Sequence, residues 1–511
     1  MLSRTVLALI ACTLGAATAH GAMVWGYCYL EGQTNHGLTK VRMSDGIPRE
    51  TETDCDGYYV FWAVAPLQNH TFTYSHPGYE SETHVFWVPP GGGQLPDVTL
   101  ESKAICDPDD WDHYPYTIPG TDPPFTFPGV EGVHDPTWKY RAEWWYVNFH
   151  LFRDEDNHEY GGFVAFFKPP IIGFPGMVLQ SIIDLEDYVH YYQNDEFPLI
   201  FLANDRCLDV VAGGNRLKNR ECGGDLLPFD YHLYAGWIEG GIVSVELDMK
   251  CLKPPIAVGG DGYVEFGDVG GSYYYTHPRL DVLGKLHLPG FPPAGKDVHG
   301  CAWIDHQWGD WPADTVTWEW ISIQLDDDRE IMVADVWVDD EPLGSFSGGL
   351  NYYDEGCSHE VLEDYEMTVL AYYVDPMTDR EFATQWRVTE SSRQIDLVVT
   401  ADCDDQVMRI GANVFFPLCF WEGACTVSGT IGGQPVAGTA YAEVTHSPPD
   451  LCVGDIDGDG DTDHSDLGEL LSAWCSHEGD PNWNPDADLD GDGHVGHGDL
   501  GILLSDWGCG T

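Results

Sequence analysis

Residues 455–474 recur thirty-three positions later as residues 488–507, with thirteen of the twenty positions identical. Each copy begins with acidic side chains at alternate positions around a glycine and runs on into a leucine-bearing segment. In the first copy Asp455, Asp457, Asp459, Asp461, Asp463 and Asp466 surround Gly460. In the second, Asp488, Asp490, Asp492, His494 and Asp499 surround Gly493. Carboxylate oxygens spread over twelve residues, with glycine at the sixth for a sharp turn, are what a Ca²⁺ loop requires. The leucines after each loop start an amphipathic helix. Residues 452–511 are therefore expected to form a small helical unit that holds Ca²⁺ through these side chains.

The remaining chain has a different texture. The whole chain carries 84 acidic against 23 basic residues, and 84 − 23 gives a net charge of −61. Nucleic acid and anionic membrane would be repelled by such a surface. Yet 43% of the residues are hydrophobic, so the chain can build cores. With 58 Gly and 33 Pro among short alternating runs, the expected fold class is mainly β. Arg4, an apolar stretch over 6–15 and the small residues Ala17 and Ala19 read as a secretory signal peptide, residues 1–19, which implies a secreted or cell-surface protein. No later stretch is apolar for long enough to span a bilayer. Of the 15 cysteines, Cys12 falls in the signal segment, and the even remainder favours disulfides. The nearby candidates are Cys28 with Cys55, Cys207 with Cys222, Cys419 with Cys425, and Cys475 with Cys509.

Residues 23–102 read as a β-sandwich; Asp54-Cys55-Asp56-Gly57-Tyr58, Pro66, Gly78-Tyr79 and Val98-Thr99-Leu100 mark its turns and last strand. In that order they resemble the carboxypeptidase regulatory-like domain, a module usually used for spacing or adhesion. Residues 104–124, rich in Pro and Asp, read as a linker, and 448–450 as a second, shorter one. The two Asp-rich repeats of the tail resemble a type I dockerin, which implies a cohesin-like protein partner and a Ca²⁺-dependent fold.

Chemistry concentrates in the stretch between the linkers. His299-Gly-Cys301-Ala-Trp303-Ile304-Asp305-His306-Gln307-Trp308-Gly309 alternates, so Trp303, Asp305 and Gln307 are expected on one face of a strand, with Ile304 and His306 on the other. A carboxyl among Trp rings has its pKa raised by desolvation and becomes a proton donor. Aromatic faces stabilise a nearby cation. Such a pocket suits protonation of an alkene, and equally the holding of a hydrophobic small molecule.

The order Glu143-Trp144-Trp145-Tyr146, then Trp303-Ile-Asp305-His306-Gln-Trp308-Gly, then Trp318-Glu-Trp320, then Trp421-Glu422-Gly423 and Tyr441-Ala-Glu443 resembles the lipocalin-like hydroxyneurosporene synthase family. That family includes carotenoid hydratases, kievitone hydratase-like proteins and Diels–Alderase-type pericyclases. The resemblance implies two tandem lipocalin-like barrels, 125–290 and 291–447, with a ligand site at the first barrel and the interface. It implies Asp305 as proton donor, Trp303 and Tyr146 as cation stabilisers, and His306 orienting the acid or the attacking water. Glu143, Trp144, Trp145, Trp308 and Trp320 would line the ligand, with no cofactor for catalysis. The expected function is a hydratase or isomerase on an unsaturated terpenoid or lipid. A lipophilic-ligand binding protein is the alternative, and a carbohydrate-associated module a further one, since dockerins often accompany carbohydrate-active enzymes.

Overall fold

The computed structural model describes residues 21–44, 48–134, 142–168, 176–193, 201–238, 241–311, 315–339, 341–343, 348–378, 380–410, 418–446, 454–457, 462–477, 479–489, 493–505 and 507. The signal-peptide segment, the 448–450 linker, Cys12, Cys509, Asp459, Gly460, Asp461, Asp490 and Asp492 lie outside the described residues. The chain is mainly β, with two curled half-barrel sheets in tandem, smaller sheets at the N-terminus and two short helices at the C-terminus. Among the described residues, no helix is long and apolar enough to cross a membrane.

At the N-terminus two four-stranded sheets enclose one core, which includes Val24, Val41, Tyr59, Phe72 and Tyr74. Ion pairs fasten this unit to the first of the two curled sheets. Lys40 pairs with Asp248 at 2.9 Å and Lys103 with Asp281 at 3.1 Å, and the buried Arg220, itself paired with Asp230 within that sheet at 2.9 Å, donates across to the Leu38 carbonyl.

Eight strands matter for the site. In the first, 13-stranded sheet they are β1 (Ala142–Arg153), β2 (Glu159–Phe167), β3 (Gly271–His287) and β4 (Lys296–Asp310). In the second, 11-stranded sheet they are β5 (Val316–Leu325), β6 (Glu330–Val338), β7 (Leu418–Ile431) and β8 (Gln434–Val444). Because β4 pairs with both β1 and β3, the expected division at 290/291 falls between two strands of a single sheet. The sheets part between β4 and β5. They then pack closely enough that a Cβ on Gly161 would lie 2.6 Å from that of Ala424. Strands at this junction are buried on both faces, which is why β1 reads as a nearly unbroken aromatic and apolar run and β4 is buried at every position from 302 to 309.

The linker reading of 104–124 is replaced. Trp111, Ile118, Phe125, Phe127 and Val130 belong to the same core as the inward faces of β1 and β4. Residues 104–130 thus fill the interior of the first curled sheet. Its centre also holds the buried Glu131, which accepts hydrogen bonds from Tyr231 at 2.5 Å and Asn219 at 3.1 Å.

The disulfides also differ from the local candidates. Cys55 bonds to Cys222 and Cys106 to Cys357, with Cα separations of 5.6 and 6.1 Å. Cys28 and Cys207 stay unpaired. Cys419 and Cys425 lie six residues apart on β7, and an extended strand spaces them by roughly 20 Å, well beyond disulfide reach.

In the tail, α1 (His464–Ser472) and α2 (His497–Ser505) meet over a small core of Ile456, Leu470, Ala473, Ala487, Val495 and Leu503. Asp463 and Asp466 form a reciprocal cap on α1.

Candidate functional site

Where the two sheets face each other they leave a cavity of about 70 Å³. From the first sheet come Trp144, Tyr146, Phe163, Tyr274, Asp305 and Gln307; from the second, Trp318, Trp320, Met332, Glu422 and Glu443. Strand alternation selects these residues. On β1 the even positions 144 and 146 face the cavity, and on β4 the odd positions 305 and 307 do so. Registry then sets neighbours: Tyr146 lies opposite Asp305, Trp320 opposite Glu443, and Glu422 opposite Glu443.

Asp305 is 4% exposed. Trp303 Nε1 donates to its Oδ1 and the Tyr274 hydroxyl to its Oδ2, both at 2.6 Å. Burial pushes its pKa up to about 6, against the lowering effect of those donors. Glu422 receives the Tyr146 hydroxyl at 2.6 Å. Burial, then the neighbouring Glu443, lifts Glu422 well above the usual carboxylate range. Burial raises Glu443 to about 7, with Trp318 opposing and Asp305 adding. Three carboxyl groups therefore share one aromatic cavity, and among the described lining residues none is basic.

The other faces of β1 and β4 carry the rest of the expected site. Glu143, Trp145, His306 and Trp308 point into the first sheet's interior, away from Asp305. His306 is 0% exposed, and its ring lies against Trp145 with centroids 4.5 Å apart. The alternation that brings Asp305 to the cavity turns His306 away, so it does not sit beside that acid. Instead its Nε2 is 3.4 Å from Glu143, which also holds Lys168 at 2.8 Å and His134 at 3.2 Å. Burial lowers His306 to about 4. For Glu143, hydrogen bonds from both histidines and the charge of Lys168 outweigh burial and hold it below its ordinary range. Nitrogens of His134 and His306 and a Glu143 oxygen lie within 4.8 Å of one another, but the ammonium on the same carboxylate makes this an ion-pair cluster.

Trp303, Tyr146, Trp144 and Trp320 join Asp305 at the junction. Glu422, Glu443 and Tyr274 are not among the site residues expected from sequence. A signal for two of them existed: Gly432 and Gly433 adopt φ of 59° and 74°, the two-residue hairpin turn that glycine permits. Counting outward from that turn sets Glu422 against Glu443.

In the tail, carboxylate oxygens of Asp455, Asp457 and Asp466 lie within 4.8 Å of one another. In the second repeat Asp499 is 1% exposed, and the His494 ring packs on His477 with centroids 4.4 Å apart.

Residues 208–447 match the AttH-like family model, a span that holds Asp305, Glu422 and Glu443 but not β1. Among solved structures, a protein described as AttH from Nitrosomonas europaea is 21% identical, with a TM-score of 0.51, over 62% of this chain and 95% of that one. Kievitone hydratase from Nectria haematococca is 16% identical, with a TM-score of 0.48, over 65% of this chain and 98% of that one. The likeness to the Nitrosomonas protein is one of fold. The search of curated proteins gave no match.

Proposed function

We propose that the chain is a cofactor-independent acid catalyst of the hydratase type, acting on an unsaturated, apolar small molecule held between the two sheets. The observation that carries this reading is the set of Asp305, Glu422 and Glu443 in one aromatic cavity with no basic side chain among its described lining residues. Carboxyl groups raised to about 6 and about 7 are placed to exchange protons near neutral pH. Aromatic rings and a carboxylate stabilise positive charge on carbon. A fatty-acid headgroup would meet acidic groups there, so a neutral alkene fits better. Hydration adds the acid's proton to one alkene carbon; water attacks the other, and its surplus proton returns to a carboxylate.

The test is incubation of the purified chain with terpenoid and polyprenyl alkenes in deuterium oxide. A product with carbon-bound deuterium is expected, formed about 10²–10⁴-fold more slowly by Asp305→Asn. Ligands recovered unlabelled and unchanged would sink the catalytic reading. They would favour a lipophilic-ligand binding protein, a second reading supported by the apolar rings that make up most of the cavity wall.

We also propose that the protein is exported and that its tail binds Ca²⁺ and docks on a cohesin-like partner. Asp455, Asp457 and Asp466 fit the ion by donor chemistry and spacing, with Asp463, Asp488 and Asp499 completing the described acidic positions. Leu471 and Leu504 occupy equivalent places in the two repeats and are 54% and 55% exposed. Calcium titration of the full chain should raise the melting temperature of the tail's transition, and Asp466→Ala should abolish that rise. A tail indifferent to Ca²⁺ would refute the assignment.

A further inference from the structure

We propose that the proton used in the cavity is held by the Glu422–Glu443 pair of the second sheet, while Asp305 of the first sheet serves as a standing carboxylate. The proposal rests on the catalytic reading above for its purpose, but not for its geometry.

Glu422 and Glu443 are directly opposed on β7 and β8, so their side chains leave the sheet side by side on the cavity face. Two carboxylates this close, one of them 2% exposed, cannot both be ionised without a cation between them. Among the described residues none is supplied: the groups facing them are Asp305 and the hydroxyls and indoles of Tyr146, Tyr274, Tyr441, Trp318 and Trp320. A shared proton is the remaining way to relieve the repulsion. The Tyr146 hydroxyl already donates to Glu422 Oε1, which leaves the pair's proton for the other oxygens.

Asp305 is built the opposite way. Both its oxygens receive donors, and one donor is an indole N–H that can only donate. That arrangement stabilises the anion. Its donors oppose the burial that raises it, whereas burial and the neighbouring Glu443 both raise Glu422. In the forward step, an O–H bond of the pair breaks and a C–H bond forms with the alkene's π electrons. The pair becomes fully anionic and Asp305 faces the new cation. Water then bonds to that cation, and its released proton restores the pair.

Infrared spectroscopy of the full chain tests the assignment without any substrate. At pH 8.5 the wild-type protein should show a protonated-carboxyl carbonyl band that disappears in Glu422→Gln and persists in Asp305→Asn. Near-ultraviolet circular dichroism confirms that each isosteric variant is folded. A band that vanishes in Asp305→Asn but survives in Glu422→Gln would overturn the proposal, as would a wild-type spectrum with no such band. The expected band pattern in a protein that turns nothing over would uphold the proton assignment and refute the catalytic reading alone.

Discussion

Glu330→Ala is expected to cost the folded chain about 3–5 kcal/mol. Glu330, at 1% exposure, is the shared anion of two cations from the other sheet's side of the junction. Lys253 Nζ lies 2.7 Å from one carboxylate oxygen, and Arg279 Nε bonds the other. Lys253 is 0% exposed and also donates to the carbonyls of Asp328 and Asp354, so all three of its protons are engaged. Burial dominates for both partners, raising Glu330 and lowering Lys253. Such a cluster adds little net stability, yet losing its anion strands a fully buried ammonium and removes the close partner of a largely buried guanidinium. Denaturant unfolding of the full chain measures the loss. The double variant Lys253→Met, Glu330→Leu should recover much of it, because it removes charge of both signs. A Glu330→Ala protein as stable as wild type would show that the sheets are joined by other contacts.

Stability should fall by on the order of 3–5 kcal/mol between pH 6 and pH 8. Glu319, Glu422 and Glu443 drive the alkaline arm. Glu319 is 3% exposed, accepts a hydrogen bond from the Trp386 indole at 2.8 Å, and is pushed up to about 7 chiefly by burial. These carboxyl groups hold protons more tightly in the folded chain than in the unfolded one. Their stabilisation is complete below the ordinary carboxylate range; that of Glu319 and Glu443 is lost as pH rises through 7, while that of Glu422 goes on falling above it. His150 and His306 act in the other direction. Burial lowers both to about 4, so their contribution is whole above the ordinary histidine value of 6.5 and is lost as pH falls toward 4. Unfolding free energies at pH 5, 6 and 8 check the curve, and Glu319→Gln should flatten its alkaline side. Stability that climbs steadily to pH 8 would contradict it.

The strands of the site were the most legible part of this chain. Alternation alone separates Asp305 and Gln307 from Ile304 and His306, because period-two geometry does not depend on the rest of the fold. The Asp-rich repeats likewise announce two short helices through local spacing. What sequence conceals is long-range. The Pro and Asp residues of 104–124 suggest a solvated connector, and only the curled sheet around it shows where Trp111, Ile118 and Phe125 are buried. Cys55 and Cys106 bond to residues 167 and 251 positions away, distances at which nothing in local spacing points to a partner. Glu143 and Glu319 occupy similar aromatic contexts in the sequence. The first is ionised beside Lys168, whereas the second, among the described residues, receives an indole N–H, and that difference exists only in three dimensions.

The two disulfides overlap along the chain, one closing 55 to 222 and the other 106 to 357. A single break in the backbone anywhere from residue 55 to residue 357 therefore leaves one covalent molecule. That span contains every strand of the first sheet and the opening strands of the second, including all the cavity wall except Glu422 and Glu443. Under proteolytic attack, a nicked loop would not release the part of the molecule that surrounds Asp305. A break between residues 357 and 422, beyond the second bridge, would instead leave the carboxyl pair held to it by hydrogen bonds and packing among the described residues.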